Sequence, residues 1–431
     1  MIKEPGIKWL FMDLNSYFAS VEQQEQPSLR DKPVAVVPMD TEYTCAIAAS
    51  YEAKLYGIKT GTTIKDAKKL CPSLKCTVAR HDIYVSYHNK IIEEVINHTP
   101  INRIWSIDEL SSCLPPNKRS IEAAQDIAQN IKAGLRCNIG PYVRCSIGFA
   151  PNSLLAKIAC ETQKPDGLTI FTQESLSDCL FKLSLTDIPG IGANMERRFN
   201  NANLYTIEDF WNISPKHARK VFGSVQGERF WYLLHGYDFE MPETKTSMIG
   251  HSRILDPELR SPEKAKRIIR KLTVKACHRL RAKEFHTRCI SISLRTKQHR
   301  KIHRTLNIQA SQDPFEIMEY IDTLWHSMIN EAKSLHDPTN GRLSIKKVSV
   351  ILKNLVKHNN ITNDMFMTSS AEQTEKAHVL KNEKLTRALE SLQTKYQKEV
   401  VSLGITPKTS SGYVGTKIAF SRVPKIEEFW S

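Results

Sequence analysis

KWLFMDLNSYFASVE, residues 8–22, decides how this chain is read. Residues 8–12 read as a short buried strand, apolar from Trp9 to Met12, and Asp13 closes it. A helix-compatible stretch follows at 17–25. A carboxylate at the end of a buried strand emerges at the edge of a sheet. Alone it reads as a turn or a helix cap; beside a second carboxylate it reads as half of a cation site.

A second stretch supplies the neighbour. RIWSIDELSSC (103–113) sets Asp108 and Glu109 side by side after Ile104, Trp105 and Ile107. Successive side chains of a strand face opposite ways. Either one acid joins the apolar face, or the strand, expected over 103–108, ends at Asp108. Burying an unpaired carboxylate is costly, and a bound cation offsets that cost. Asp13 with Asp108 or Glu109, from neighbouring strands, suits Mg²⁺, a hard cation that keeps room for waters and phosphates. Two such ions clamp the attacking and leaving oxygens in phosphoryl transfer. By themselves, Asp108 and Glu109 also read as a solvated turn.

At 431 residues the chain is long enough for roughly three or four domains. Its composition is that of a soluble globular protein, except for a net charge of +15, which points to a polyanionic partner. Seventeen Lys and Arg against four Asp and Glu fall between 251 and 310, and phosphate binding is expected there. No apolar run reaches membrane-spanning length, and MIKEPGIKWLF lacks the layout of a signal peptide, so a cytoplasmic protein is expected. Ten cysteines without any C-x-x-C pair read as buried free thiols.

Working outward, strands are expected at 33–37 and 143–149, an extended run at 43–50, and helices near 51–56, 63–70, 81–98, 119–136 and 152–162. Strands separated by amphipathic helices indicate an α+β or α/β layer domain, and the order over 81–150 suits a ferredoxin-like sheet. Residues 180–240 look helical. A basic helix at 261–285, strands at 288–297 and 342–355 and a helix from Asp313 to Lys333 follow. After 356 the polar stretch NNITNDMFMTSSAEQ (359–373) reads as a linker. A helix is expected at 376–396 with Leu385, Leu389, Leu392 and Tyr396 on one face.

Three further stretches bear on chemistry. In SYEAKLYGIKTG, Tyr51 and Lys54 share a helix face and suit a triphosphate, or equally an ordinary amphipathic turn. Lys157 lies on the helix of GFAPNSLLAKIAC, where a lone lysine reads as surface. LTDIPGIGANMERRF resembles the hairpin of a helix-hairpin-helix element, in which Gly190 and Gly192 let backbone N–H groups approach a DNA phosphate. Such contacts position a duplex without reading it.

Taken in order, DLNSYFASVE, SYEAKLYGIKTG, SIDE, SIGFAPNSLLAKIA, KPDGL and IPGIG resemble the Y-family (translesion) DNA polymerases of the DinB and UmuC type. The match covers about residues 8 to 240. The basic segment corresponds to the family's little finger by position and charge, and the tail is similar to the extension of UmuC-type members. The resemblance implies an α+β multidomain, right-hand polymerase. Its ferredoxin-like palm would comprise 1–20 and 80–178, and its small fingers 21–79. The helix-hairpin-helix thumb would be 179–240, the α/β little finger 246–355 and the C-terminal extension 356–431.

It implies a distributive, low-fidelity, template-directed nucleotidyltransferase that copies damaged DNA in SOS mutagenesis. With these domains assigned, a proofreading exonuclease is not expected. Asp13, Asp108 and Glu109 would be the catalytic carboxylates, holding two Mg²⁺ ions (or Mn²⁺ as a substitute) with the carbonyl of Leu14. Phe18 would be the steric gate against a ribose 2′-OH, with Tyr17 stacked beside it. Tyr51, Lys54 and Lys157 would hold the triphosphate. Gly190 and Gly192, and from the basic segment Arg267, Arg270, Lys271, Arg295 and Lys297, are the expected DNA contacts.

Primer-template DNA and dNTP are the implied partners of a monomeric core, with a sliding clamp, RecA and a UmuD-like protein as further candidates. No Q-L-x-L-F clamp peptide closes the chain. Lys54, where DinB-like members usually have arginine, and Ala48, where many have a small hydroxyl residue, lean toward the UmuC side; lysine keeps the charge but loses the bidentate fork. The competing reading is a non-catalytic DNA-binding accessory protein of mutagenic repair on the same fold. A more remote one is a repair protein that uses only the hairpin and the basic segment.

Overall fold

The computed structural model describes residues 2–3, 6–239, 246–298, 300–336, 339, 341–357, 381–382, 384–392, 395–396, 401 and 423. These divide into two compact units, one built from residues up to 239 with Val423 and one from 246 to 401.

In the first unit β1 (Trp9–Leu14) leads through Ser16 into α1 (Tyr17–Glu25). Ser16 takes a left-handed conformation, rare outside glycine, which turns the chain sharply from strand to helix. A small sheet follows, with β2 (Val34–Val37), β3 (Ala48–Ala49), α2 (Tyr51–Lys54), α3 (Ile64–Leu70) and β4 (Lys75–Val78). Its strand order is β3-β2-β4. The extended run expected at 43–50 is therefore a strand only at 48–49, with Cys45 bridged to Thr63.

The chain then returns through α4 (His81–Ile96), β5 (Arg103–Ile104), β6 (Glu109–Cys113), α5 (Ile121–Gly134), β7 (Cys145–Ala150), α6 (Ser153–Thr162) and β8 (Leu168–Ile170). These build a five-stranded sheet in the order β5-β6-β1-β7-β8. Leaving out β8, this is the strand order of a ferredoxin-like sheet, as the order of elements led us to expect.

Alternation along β1 sorts the two faces. Leu10, Met12 and Leu14 pack with α4 and α5, while Phe11 packs with α6 and the helices that follow. Asp13, two residues from Phe11, therefore belongs to the α6 face. Gly148 of β7 lets α6 lie close, because a Cβ there would stand 2.2 Å from the Ala156 carbonyl oxygen.

Beyond β8 the first unit is helical, as expected: α7 (Leu176–Leu180), α8 (Ala193–Asn201), α9 (Ile207–Asn212), α10 (Pro215–Phe222) and α11 (Val225–Leu234). Phe199, Phe210, Phe222 and Phe230 pack together at its centre.

The second unit folds as β9 (Met248–Ile254), α12 (Pro262–Arg281), β10 (Phe285–Thr296), β11 (Lys301–Ser311), α13 (Pro314–Ser334) and β12 (Ile345–Lys357). Its antiparallel sheet, β9-β12-β10-β11, is covered on one face by both helices.

Part of the expected helix at 376–396 lies outside the described residues. In the rest, the buried positions are Asn382 and Thr386, and Asn382 donates to Asp313 (2.7 Å). Glu390 pairs with Arg281 (2.6 Å) and His278 (3.1 Å). Leu385, Leu392 and Tyr396 are exposed and Leu389 is half-buried, so the polar positions are the more deeply buried side of this segment. Arg281 and His278 of α12 and Asp313, the N-cap of α13, supply the polar partners there.

Candidate active site

Register decides which carboxylates meet. Asp13 of β1 is directly paired with Glu109 of β6, and residues directly opposite in an antiparallel pair point to one face. Both acids thus face α6, which contributes Glu161. Carboxylate oxygens of Asp13, Glu109 and Glu161 lie within 4.8 Å of one another. Such convergent oxygens are the donor set of a hard divalent cation, so these residues fit a metal ion.

The expected strand over 103–108 is corrected here. Residues 105–108 are a turn between β5 and β6, and the second strand begins at Glu109. Asp108 therefore need not alternate with Glu109. Its backbone carbonyl accepts from the Leu14 N–H (2.8 Å), and its carboxylate accepts from the Ser106 hydroxyl. His88 of α4 holds the turn from below, its Nδ1 2.7 Å from the Ile107 carbonyl oxygen. Burial lowers the pKa of His88, keeping the ring neutral for that contact.

Two lysines neutralise the acids. Lys157 lies 2.5 Å from Glu109, over the ring of Phe11. Lys164 lies 2.8 Å from Asp13 and 2.8 Å from Glu161. Burial pushes the Asp13 carboxyl up to about 7; Lys164 pulls it down, and Glu161 and Asp108 push it up.

Lys54 sits over the ring of Tyr51 at 4.2 Å, and burial lowers its pKa. The charges felt by both Tyr51 and Lys54 are those of Lys164, Asp13 and Glu161. The structure thus brings Lys164 to this pair and directs Lys157 to Glu109. Lys164 and Glu161 were missed by sequence reasoning, although KPDGL was quoted for the resemblance. Glu161 is one turn from Lys157 on α6, and Lys164 is three residues further on. That spacing was the available signal.

The 164–167 loop is itself fixed. Asn15 accepts from the Asp166 N–H (2.7 Å) and donates to Ser146 (3.1 Å), and Lys132 holds the Asp166 carboxylate (2.9 Å).

Tyr17 and Phe18 are both buried. The Tyr17 hydroxyl donates to the Tyr84 carbonyl (2.6 Å), and the Phe18 ring stacks on that of Tyr84 at 4.4 Å and 14°.

Gly190 has φ +100°, a conformation that favours glycine, and it turns the chain toward Gly192, the N-cap of α8.

In the second unit, Ile290, Ile292 and Leu294 of β10 pack under the helices, so Arg295 faces away from them. Lys301 and Lys347 are its direct cross-strand partners, and all three are exposed. Like charges opposite one another destabilise a sheet, and a polyanion relieves that repulsion. Lys297 is exposed in the turn beyond β10. Arg267, Arg270 and Lys271 lie on α12, in the helical layer; Arg267 is exposed, and Arg270 is bound to Asp322 of α13 (2.7 Å). The helix-borne cations therefore lie apart from the Lys301–Arg295–Lys347 row, because α12 turns its apolar face to the sheet.

The architecture is that of a right-hand α+β polymerase. Residues 12–161 match the impB/mucB/samB family, 246–365 match the C-terminal domain of that family, and 186–238 match the thumb domain described for DNA polymerase-iota. A DNA polymerase IV of Moorella thermoacetica is 28% identical over 403 residues, 92% of this chain and 95% of its own length. Those of Pelotomaculum thermopropionicum and Yersinia enterocolitica are each 31% identical, over 291 and 280 residues. The matches span 66% and 64% of this chain, and 72% and 78% of theirs.

Among solved structures, a Y-family DNA polymerase chimera, Dbh-Dpo4(243-245)-Dbh, has a TM-score of 0.68 at 20% identity, over 81% of this chain and all of its own. An insertion ternary complex of Dbh DNA polymerase has a TM-score of 0.52 at 22% identity, over the same shares. The chain belongs to the Y-family DNA polymerases, of the DinB type. The UmuC-like lean rests on Lys54, Ala48 and the tail, and the relatives reported above are all DNA polymerases IV.

Proposed function

We infer that this chain is a template-directed translesion DNA polymerase that joins dNTPs to a primer 3′-OH with low fidelity. The observation that carries this reading is the cross-strand pair Asp13–Glu109 with Asp108 at the adjoining turn, on the sheet face where Lys164, Tyr51 and Lys54 also gather. We assign the palm to 1–20 and 80–178, the fingers to 21–79, the thumb to 179–240, the little finger to 246–355 and the extension to 356–431.

Asp13, Asp108 and Glu109, with the Leu14 carbonyl, would hold two Mg²⁺ ions, or Mn²⁺ in their place. When bound, the metal lowers the pKa of the primer hydroxyl and neutralises phosphate charge. The protein's own groups do the rest. Tyr51, Lys54 and Lys164 bind the triphosphate, with Lys164 taking the part expected of Lys157. Lys157 holds Glu109 in its orientation. Phe18 stands against a ribose 2′-OH, with the Tyr17 ring tilted beside it and not stacked on it. The Gly190–Gly192 hairpin and the Lys301–Arg295–Lys347 row, with Lys297, engage duplex phosphates without reading sequence.

Primer extension on undamaged template tests the reading against the non-catalytic accessory alternative. Extension with Mg²⁺ that disappears in Asp13→Ala and Asp108→Ala is expected. Removing a metal-bound carboxylate forfeits several kcal/mol of transition-state stabilisation, roughly a thousandfold or more. Extension by Asp108→Ala equal to that of the unchanged protein refutes the metal assignment. No described helix is long and apolar enough to cross a membrane. We place the protein in the cytoplasm as a monomeric core, with a sliding clamp, RecA and a UmuD-like protein as proposed partners for pull-down.

A further inference from the structure

Phe18 and Glu22 lie one turn apart on α1, and Tyr84 and Arg80 lie one turn apart at the start of α4. The two pairs face each other in two tiers. In the upper tier the rings of Phe18 and Tyr84 stack at 4.4 Å. In the lower tier Arg80 grips Glu22 with two nitrogens, at 3.1 and 2.6 Å. The tiers are joined by the Tyr84 hydroxyl, which donates to Glu22 at 2.7 Å. Gln26 adds a fourth donor to the same carboxylate at 2.8 Å.

Glu22 is fully buried, as is Tyr84. A carboxylate in such a place is costly unless every oxygen is satisfied, and a satisfied buried network has one geometry rather than many. Arg80, Gln26 and the Tyr84 hydroxyl all converge on the Glu22 carboxylate. Their shared effect is to fix the Tyr84 ring, and Phe18 leans on that ring.

We propose that Glu22 and Arg80 are positioning residues for sugar selection, their buried ion pair fixing the Tyr84 ring as the backing against which Phe18 meets a 2′-hydroxyl. Steric exclusion demands a wall that does not yield. A phenyl ring free to retreat by about 1 Å admits the extra oxygen, and displacements of that size change rates on the order of a hundredfold in a tightly positioned site. Burial and the Glu22 carboxylate raise the pKa of the Tyr84 phenol well above its ordinary value, so the hydroxyl stays a donor.

The inference rests on the reading of Phe18 as the gate, and the test separates the two. Single-nucleotide incorporation is measured with a dNTP and its matching rNTP, and the ratio of the two kcat/KM values is compared. The full-length protein is compared with Phe18→Ala, Glu22→Ala, Tyr84→Ala and Tyr84→Phe, each checked for folding by thermal melting. Glu22→Ala and Tyr84→Ala are expected to lower the dNTP preference by about tenfold. Tyr84→Phe, which keeps the ring but frees it from Glu22, is expected to shift it less and in the same direction.

A network that only stabilises the fold lowers both activities together and leaves the ratio unchanged. That result in folded Glu22→Ala and Tyr84→Ala, with Phe18→Ala relaxed, overturns the proposal alone. An unchanged ratio in Phe18→Ala overturns the gate and the proposal with it. If Glu22→Ala does not fold, Tyr84→Ala and Tyr84→Phe decide the matter by the same ratio.

Discussion

Replacing Lys164 by methionine separates the two lysines of the site. Lys164 bridges Asp13 and Glu161 at 2.8 Å each and shares the surroundings of Tyr51 and Lys54, whereas Lys157 is committed to Glu109 at 2.5 Å. Methionine keeps most of the length of the side chain and removes its charge. A hydrogen bond to a charged group contributes about 1.5–3 kcal/mol. If Lys164 meets a triphosphate oxygen, its loss lowers kcat/KM by roughly ten- to hundredfold. Losing it also removes the cation that pulls the Asp13 carboxyl down, which weakens metal binding at neutral pH. The assay is therefore run at saturating Mg²⁺ and alkaline pH, where Asp13 is ionised in every variant.

Under those conditions Lys164→Met is expected to raise the KM for dNTP. Lys157→Met is expected to leave that KM nearly unchanged and, in a separate Mg²⁺ titration, to raise the concentration needed for half-maximal rate. A KM for Lys164→Met within about twofold of the unchanged protein, combined with a large rise for Lys157→Met, would refute the assignment and restore Lys157.

The Asp13 carboxyl, held by burial at about 7, must lose its proton to bind a metal. Below that value Mn²⁺ affinity, followed by electron paramagnetic resonance on the unreacted protein, is expected to gain about tenfold per pH unit and then level off; a flat response between weakly acidic and neutral pH contradicts this. Arg295→Ala is expected to reduce the slope of log affinity for duplex DNA against log salt by about one, while Arg270→Ala, already tied to Asp322, leaves it unchanged. Equal effects from both would remove the distinction between sheet and helix. Gly148→Ala places a methyl group 2.2 Å from the Ala156 carbonyl oxygen, so a loss of about 1–3 kcal/mol in denaturant unfolding is expected; an unchanged midpoint would mean that α6 can shift freely.

Much of the molecule was legible from residues alone. KWLFM and SIGFA announced buried strands by their length and apolarity, and the helices between them announced themselves by period, because such patterns are local. IPGIG signalled a turn that needs glycine, and Gly190 takes the positive φ that only a residue without Cβ adopts readily. Asp13, Asp108 and Glu109 were recognisable as a group because the motifs that hold them come in a known order.

Tertiary structure decided what depends on register and on partners distant in the chain. The pairing of Asp13 with Glu109, rather than any property of SIDE, turned those two acids to one face and left Asp108 at the turn. The approach of α6, which Gly148 permits, brought Glu161 to the acids, and the 164–167 loop held by Asn15 brought Lys164. Asn382 and Glu390 made their contacts, while Leu385 and Leu392 stayed exposed, because Asp313 and Arg281 were waiting there. The physical reason is the same in each case. Periodicity states which face a side chain takes on its own element, but the free energy of a buried charge depends on the charges that other elements bring to it.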